Sequence, residues 1–196
     1  MLGRVKGAIE GFVKSAGRYL PRNPNILTLL GLASSILAPP SALMGLNQAV
    51  PILIALAGLF DMLDGLAARY HGTATRAGAF IDSSLDRFSD ALLIASIALM
   101  GGVNVVKLAE AYASLAGALL TSYARARAES LGFSMAGLGL FERPERLLYM
   151  LALSIIYVAV GNGEVLVIGL GVFSALTLAT AVQRTIEGYR ALATHH

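Results

Sequence analysis

The sequence predicts an all-α integral membrane protein: six transmembrane helices preceded by an N-terminal amphipathic interfacial helix. Three observations carry this. Hydrophobic residues make up 56% of the 196 positions and DEKR only 14%, against roughly 25% charged residues in soluble domains, and the mean hydropathy is +0.70. Apolar stretches long enough to be spans recur along the chain, and Lys and Arg collect at alternate ends of them. Cysteine is absent, which excludes disulfides, thiolate metal sites, iron–sulfur clusters and a cysteine nucleophile. The balance of 15 Lys+Arg against 12 Asp+Glu is explained by membrane sidedness, so no nucleic-acid partner is expected.

Residues 1–22 form the first unit. Arg4, Lys6, Glu10, Lys14, Arg18 and Arg22 interrupt any apolar core, so this is no signal peptide. Val5, Ile9, Phe12, Val13, Ala16 and Leu20 recur at helical spacing with the basic residues on other faces, the pattern of a juxtamembrane helix lying against anionic headgroups. Residues 23–190 form the membrane domain, and 191–196 a short tail in which His195 and His196 resemble a purification tag and are set aside.

The uncharged run from Asn23 to Phe60 would measure about 57 Å as one helix, nearly twice a hydrocarbon core of about 30 Å, so it must fold back. Pro39 and Pro40 lack N–H donors and clash with the preceding turn, which places the hairpin at that pair. The first span then runs from about Asn25 to Leu37 or slightly beyond, and the second from about Asn47 to Arg69. Four more follow at about Thr75–Met100, Val105–Arg127, Glu145–Val160 and Glu164–Ile186. With the N-terminus inside, every Lys and Arg except Lys107 falls at an inner end, an asymmetry that a miscounted span would destroy. The expected setting is the plasma membrane, with both termini and the functional site facing the cytoplasm. Gly169 and Gly171 suggest a helix contact, within the chain or between subunits, and a homodimer is expected.

Asp61, Asp64, Asp82, Asp86 and Asp90 are the chain's only aspartates, all in the second and third spans. Each costs roughly 2.5 to 3.5 kcal/mol at a bilayer centre, so the cluster must face a polar cavity or bind cations. Asp61 and Asp64 are i,i+3 and Asp82 and Asp86 are i,i+4, so two antiparallel helices present four carboxylates to one point. Oxygen ligands without His or Cys suit a hard ion, Mg²⁺ or Mn²⁺ rather than zinc. Gly65, Ala67, Ala68 and Gly78 accompany the acids. Such small residues admit a ligand to the backbone or, alternatively, serve close helix packing.

Written out, the segment is Asp61-x2-Asp64-Gly65-x2-Ala68-Arg69-x8-Gly78-x3-Asp82-x3-Asp86. This resembles the signature of the CDP-alcohol phosphatidyltransferase family at all of its fixed positions, and the six-span plan is also that family's. The resemblance implies transfer of a phosphatidyl-type group, on diacylglycerol or archaeol, from a CDP-lipid to an alcohol hydroxyl with release of CMP. It implies that Asp61, Asp64, Asp82 and Asp86 hold two divalent ions, Mg²⁺ with Mn²⁺ as substitute, and that Asp86 also deprotonates the acceptor. The resemblance also implies that Gly65 and Ala68 leave room for cytidine, that Arg69 meets the phosphates, and that Asn25, Ile26, Leu27, Thr28, Thr75 and Gly78 belong to the CDP-lipid pocket. Asp90 lies outside the signature and is read as supporting the site or the helix packing. His71 is read as a solvated loop histidine.

Arg125, Arg127, Arg143, Arg146 and Arg184 cluster near the inner ends of the last three spans. Guanidinium groups bind phosphate through paired hydrogen bonds, which suits an acceptor that already bears a phosphate; snorkelling anchors at the membrane surface are the competing use. The segments Ser122-Tyr-Ala-Arg-Ala-Arg-Ala-Glu129 and Phe141-Glu-Arg-Pro-Glu-Arg-Leu147 are similar to those of the inositol-phosphate-using branch of the family, the phosphatidylinositol phosphate and archaetidylinositol phosphate synthases. That likeness implies inositol 3-phosphate as acceptor, with the five arginines around its phosphate, and Arg125 standing where the branch often has Lys. Two other readings stay open: the same chemistry with glycerol 3-phosphate, and a divalent-cation transporter using the intramembrane carboxylates.

Overall fold

The computed structural model describes residues 17–135 and 137–193, and among these every regular element is helical. Six helices follow in order: α1 Asn25–Leu43, α2 Ala49–His71, α3 Arg76–Leu99, α4 Val105–Ser130, α5 Arg143–Val160 and α6 Gly163–Ala193. The expected interfacial helix falls mostly on residues outside the described ones. Three helices, α1, α2 and α6, are long and apolar enough to cross a membrane by length and composition.

Local sequence explains most boundaries. Thr75 caps α3, its hydroxyl accepting from Gly78 N at 3.0 Å, and Asn104 caps α4 by accepting from Val106 N and Lys107 N. Gly72 and Gly161 end α2 and α5 in the left-handed conformation, at φ +63° and +72°. Lys107 donates to the carbonyls of Met100 and Gly102 at 2.5 and 2.7 Å, closing the end of α3.

The hairpin expected at Pro39-Pro40 lies further on. Both prolines sit inside the last turns of α1, and the chain turns at residues 44–48, with Gly45 at φ +76°. The pair removes two N–H donors from the ladder without breaking it. Its own carbonyls remain acceptors, as Pro40 O shows by receiving Met44 N at 2.9 Å, while Ala38 and Ala42, both buried, keep the turn packed.

The buried stripe of α1 is Leu27, Gly31, Ser34, Ser35, Ala38 and Ala42, recurring every three to four residues. These small side chains let α1 approach α2 and α3 closely, and Ser35 and Ser89 share a hydrogen bond of 2.6 Å across the α1–α3 contact. α4 packs along α6, and α5 bridges the two halves by contacting both α2 and α6. Gly169 serves this last contact. A Cβ there would collide with Leu153 of α5, and its carbonyl accepts from the Tyr149 hydroxyl at 2.9 Å. Gly169 thus serves a helix contact, as the sequence suggested, and that contact lies within one chain.

Val50, Ile54, Leu93, Ile97, Met100, Leu166 and Leu170 are each at most 2% exposed and fill the end of the bundle that carries the 44–48, 100–104 and 161–162 turns. The buried charges, Asp64, Asp90, Arg146 and Arg184, lie toward the opposite end. Lys107 stands apart from them at the apolar end, as its sidedness required.

Candidate active site

Three carboxylates converge where α2 and α3 face each other. Asp61, Asp64 and Asp82 each offer an oxygen within 4.8 Å of the others. The i,i+3 spacing on α2 aims Asp61 and Asp64 to one side. Thr28 of α1 donates its hydroxyl to Asp64 Oδ2 at 2.8 Å, fixing that carboxylate. Asp82 Oδ1 is buried and has no hydrogen-bond partner, a costly arrangement for a carboxylate unless something else pairs with it. An all-carboxylate set with an uncompensated buried oxygen fits a hard divalent cation.

Asp86 stands one turn along α3 from Asp82 and belongs to the neighbouring ion-pair group. It pairs with Arg143 and lies 3.6 Å from Arg87. Arg143 also reaches Asp61 at 3.1 Å and Asp90 at 3.6 Å. Its Nε and Nη1 are buried without directed hydrogen bonds, so the attraction there is one of charge proximity. Asp90 is 2% exposed and pairs with the equally buried Arg146 at 2.6 Å, which fits its reading as a supporting carboxylate.

Two cavities flank this cluster. One, of about 500 Å³, is lined by Asn25, Thr28, Asp64, Gly65, Ala68, Arg69, Thr75, Gly78 and Asp82, together with Arg22 and Asn23. Ile26 and Leu27 do not line it; Ile26 is 48% exposed and Leu27 is buried, as helical geometry requires of the residues between Asn25 and Thr28. At Gly65 a Cβ would meet no protein atom closer than Arg69 Nη1 at 3.5 Å. Helix packing therefore does not require glycine there, and the space it leaves belongs to the cavity. At Gly117, by contrast, a Cβ would strike Thr177 and the α6 backbone.

The second cavity, about 160 Å³, is bounded by Arg87, Arg125, Arg143, Arg146 and Arg184, with Thr121, Ser122, Glu142 and Pro144. Four of the five arginines singled out by the sequence meet here. Arg127, exposed on α4, is not among the lining residues. Arg87 is the arginine that sequence reading passed over: it follows Asp86 directly, and one helical step of about 100° turns it from the acid cluster to this cavity. Arg184 is held by three segments, donating to Leu138 O at 2.6 Å, Thr121 O at 3.2 Å and Glu142 Oε1 at 2.6 Å. His71 is not a loop residue: it ends α2, with Nε2 3.1 Å from Leu20 O. With Thr73, whose hydroxyl donates to Arg22 O at 3.4 Å, it ties residues 20–22 beside the larger cavity.

A helical bundle whose acid cluster lies between a roomy cavity and an arginine-lined one is suited to transferring a phosphate-bearing group between two bound substrates. A sequence model described as CDP-alcohol phosphatidyltransferase matches residues 22–185, and the chain belongs to that family. Archaetidylinositol phosphate synthase of Aeropyrum pernix is 36% identical over 164 residues, covering 84% of this chain and 81% of that one. The enzyme of the same name from Pyrococcus horikoshii is 29% identical, with 98% of each chain covered. The crystal structure of Mycobacterium tuberculosis phosphatidylinositol phosphate synthase in complex with manganese and citrate superposes with a TM-score of 0.75 at 29% identity, covering 85% of this chain and 82% of that one. The structure of the same enzyme with CDP-DAG bound gives 0.74 at 29% identity, covering 91% and 92%.

Proposed function

We propose that the enzyme transfers a phosphatidyl-type group, on a diacylglycerol or archaeol backbone, from a CDP-lipid to a hydroxyl of inositol 3-phosphate, releasing CMP. The observation that carries this is the position of the acid cluster between the two cavities. Asp64 and Asp82 line the larger one, and Arg143 lines the smaller one while paired with Asp61 and Asp86. The names of the archaeal relatives and the manganese and CDP-DAG held by the mycobacterial enzyme support the same reading.

Asp61, Asp64, Asp82 and Asp86 would hold two Mg²⁺ ions, for which Mn²⁺ substitutes. Bound there, the ions would neutralise the donor diphosphate and stabilise departing CMP. Asn25, Thr28, Gly65, Ala68, Arg69, Thr75 and Gly78 receive the CDP portion, with Ile26 and Leu27 supporting that turn of α1. The acceptor's phosphate occupies the arginine-lined cavity, held by Arg125, Arg143, Arg146 and Arg184. Arg127 contributes charge from outside. This leaves the acceptor hydroxyl beside Asp86, which takes its proton as the oxygen attacks the lipid-side phosphorus and the bond to CMP breaks.

The chain crosses the plasma membrane six times, both termini and the site facing the cytoplasm. Large apolar side chains are exposed on all six helices, among them Leu29, Ile52, Phe88, Leu120, Ile155 and Ile168, which suits contact with lipid. α3 and α5 are less apolar partly because Asp82, Asp86, Asp90, Arg143 and Arg146 turn inward to the site. Residues 23–190 form the catalytic domain, and the enzyme is a homodimer. A cation transporter would need a polar path to the far end, and there Ile54, Leu93, Ile97 and Met100 are at most 1% exposed.

Arg125 gives the cleanest test, because its ion pair with Glu129 at 2.9 Å is exposed on both sides and its loss does not disturb the core. Arg125→Ala is expected to raise the KM for inositol 3-phosphate about ten-fold, the loss of one charge-assisted contact, with the KM for CDP-lipid nearly constant. Steady-state kinetics with each substrate varied in turn checks it. An unchanged acceptor KM would remove the phosphate from this cavity.

A further inference from the structure

Among the residues lining the arginine-bounded cavity, Glu142 is the one acid. Its Oε1 accepts from Arg184 Nη2 at 2.6 Å, and its side chain is 30% exposed while that of Arg184 is 4% exposed. Glu142 immediately precedes α5, at the cap position, where a side-chain oxygen can accept from the first backbone N–H groups of a helix. It makes no such bond. The carboxylate is committed to the cavity instead of to its own helix.

Arg184 does not depend on Glu142 for its place. Nε donates to Leu138 O and Nη1 to Thr121 O, so two backbone carbonyls on separate segments hold the guanidinium. What Glu142 engages is the remaining edge, and a carboxylate oxygen and a phosphate oxygen ask for the same donors there. The other acids near these arginines do not line the cavity: Asp61, Asp86 and Asp90 belong to the acid cluster, and Glu129 meets Arg125 on the exposed face of α4.

We infer that Glu142 is a tethered competitor for the acceptor's phosphate, holding Arg184 Nη2 until a phosphorylated acceptor displaces it. The inference rests on the reading of this cavity as the acceptor site. It makes Glu142 a specificity-determining residue. A singly charged or loosely held anion does not repay the lost Glu142–Arg184 contact, whereas a phosphate dianion anchored by its own polyol does. The lipid product keeps that phosphate, so the returning carboxylate also speeds its departure. Only one hydrogen-bond partner is exchanged, and no covalent step is involved.

The test uses the full-length purified enzyme with inositol 3-phosphate as substrate and inorganic phosphate as competing probe. Glu142→Gln keeps the size and removes the charge. It is expected to lower both the acceptor KM and the inhibition constant of inorganic phosphate about ten-fold, with kcat falling and the CDP-lipid KM unchanged. Glu142→Asp keeps the charge but is one methylene shorter, which detaches it from Arg184. It should shift both constants the same way and supplies the answer should the glutamine variant not fold. Constants that rise or stay fixed in these variants would overturn the inference. Arg125→Ala separates the two failures: if it weakens inhibition by inorganic phosphate while the Glu142 variants do not strengthen it, only the competitor role falls. If none of the variants moves that inhibition, the cavity is not the acceptor site.

Discussion

Asp82→Asn is expected to lower CMP release by about 100-fold or more, because even residues that merely support metal ligands cost 10- to 100-fold when lost. The residue's Oδ1 is buried without a partner, and its carboxylate offers an oxygen within 4.8 Å of oxygens from Asp61 and Asp64. Asparagine preserves the shape but removes the charge and aims an N–H₂ group into a site that needs acceptors. Asp61→Asn should match it, with the added loss of the 3.1 Å pairing to Arg143. The measurement is CMP release across a Mg²⁺ titration, on protein whose helix content and thermal unfolding match the wild type. Near-native release with unchanged Mg²⁺ dependence would show that the carboxylates do not hold a metal.

Asp86→Asn is expected to separate binding from turnover. The side chain lines a small pocket with Asp61 and Asp64 and meets Arg143 and Arg87, two residues that also bound the arginine-lined cavity. Removing a positioned general base costs typically 10² to 10⁴ in rate, so kcat should fall by about that factor while calorimetry still detects CDP-lipid binding. Loss of donor binding in parallel with turnover would make Asp86 a ligand only and leave the deprotonation without a base.

The acid cluster was legible because helical spacing alone aims Asp61 with Asp64 and Asp82 with Asp86, and because an aspartate inside an apolar span needs a reason. The six helices were legible from apolar stretches and charge sidedness. The first hairpin was misplaced by a local rule: Pro39 and Pro40 cost two donors, but buried Ala38 and Ala42 hold the turn that the rule would break. Arg87 was passed over because it served only as a sidedness marker, although its offset of one residue from Asp86 turns it toward the second cavity. Ile26 and Leu27 were carried along with Asn25 and Thr28, whereas a helix presents only one side of a four-residue turn to a cavity. Arg146 shows what spacing cannot reveal. Its pairing with Asp90 is buried on both sides, so its removal strands a charge and costs about 3 to 5 kcal/mol of stability. For that reason Arg125 reports on the acceptor more cleanly.

Whether the acceptor already bears a phosphate is tested directly by CMP release from CDP-diacylglycerol and CDP-archaeol by the purified enzyme, with inositol 3-phosphate, inositol and glycerol 3-phosphate offered separately at equal concentration. Release with inositol 3-phosphate is expected to be at least about ten-fold faster than with inositol, the value of one or more charge-assisted phosphate contacts, and faster than with glycerol 3-phosphate. Equal rates with inositol and its phosphate, or a preference for glycerol 3-phosphate, would contradict the inositol 3-phosphate assignment.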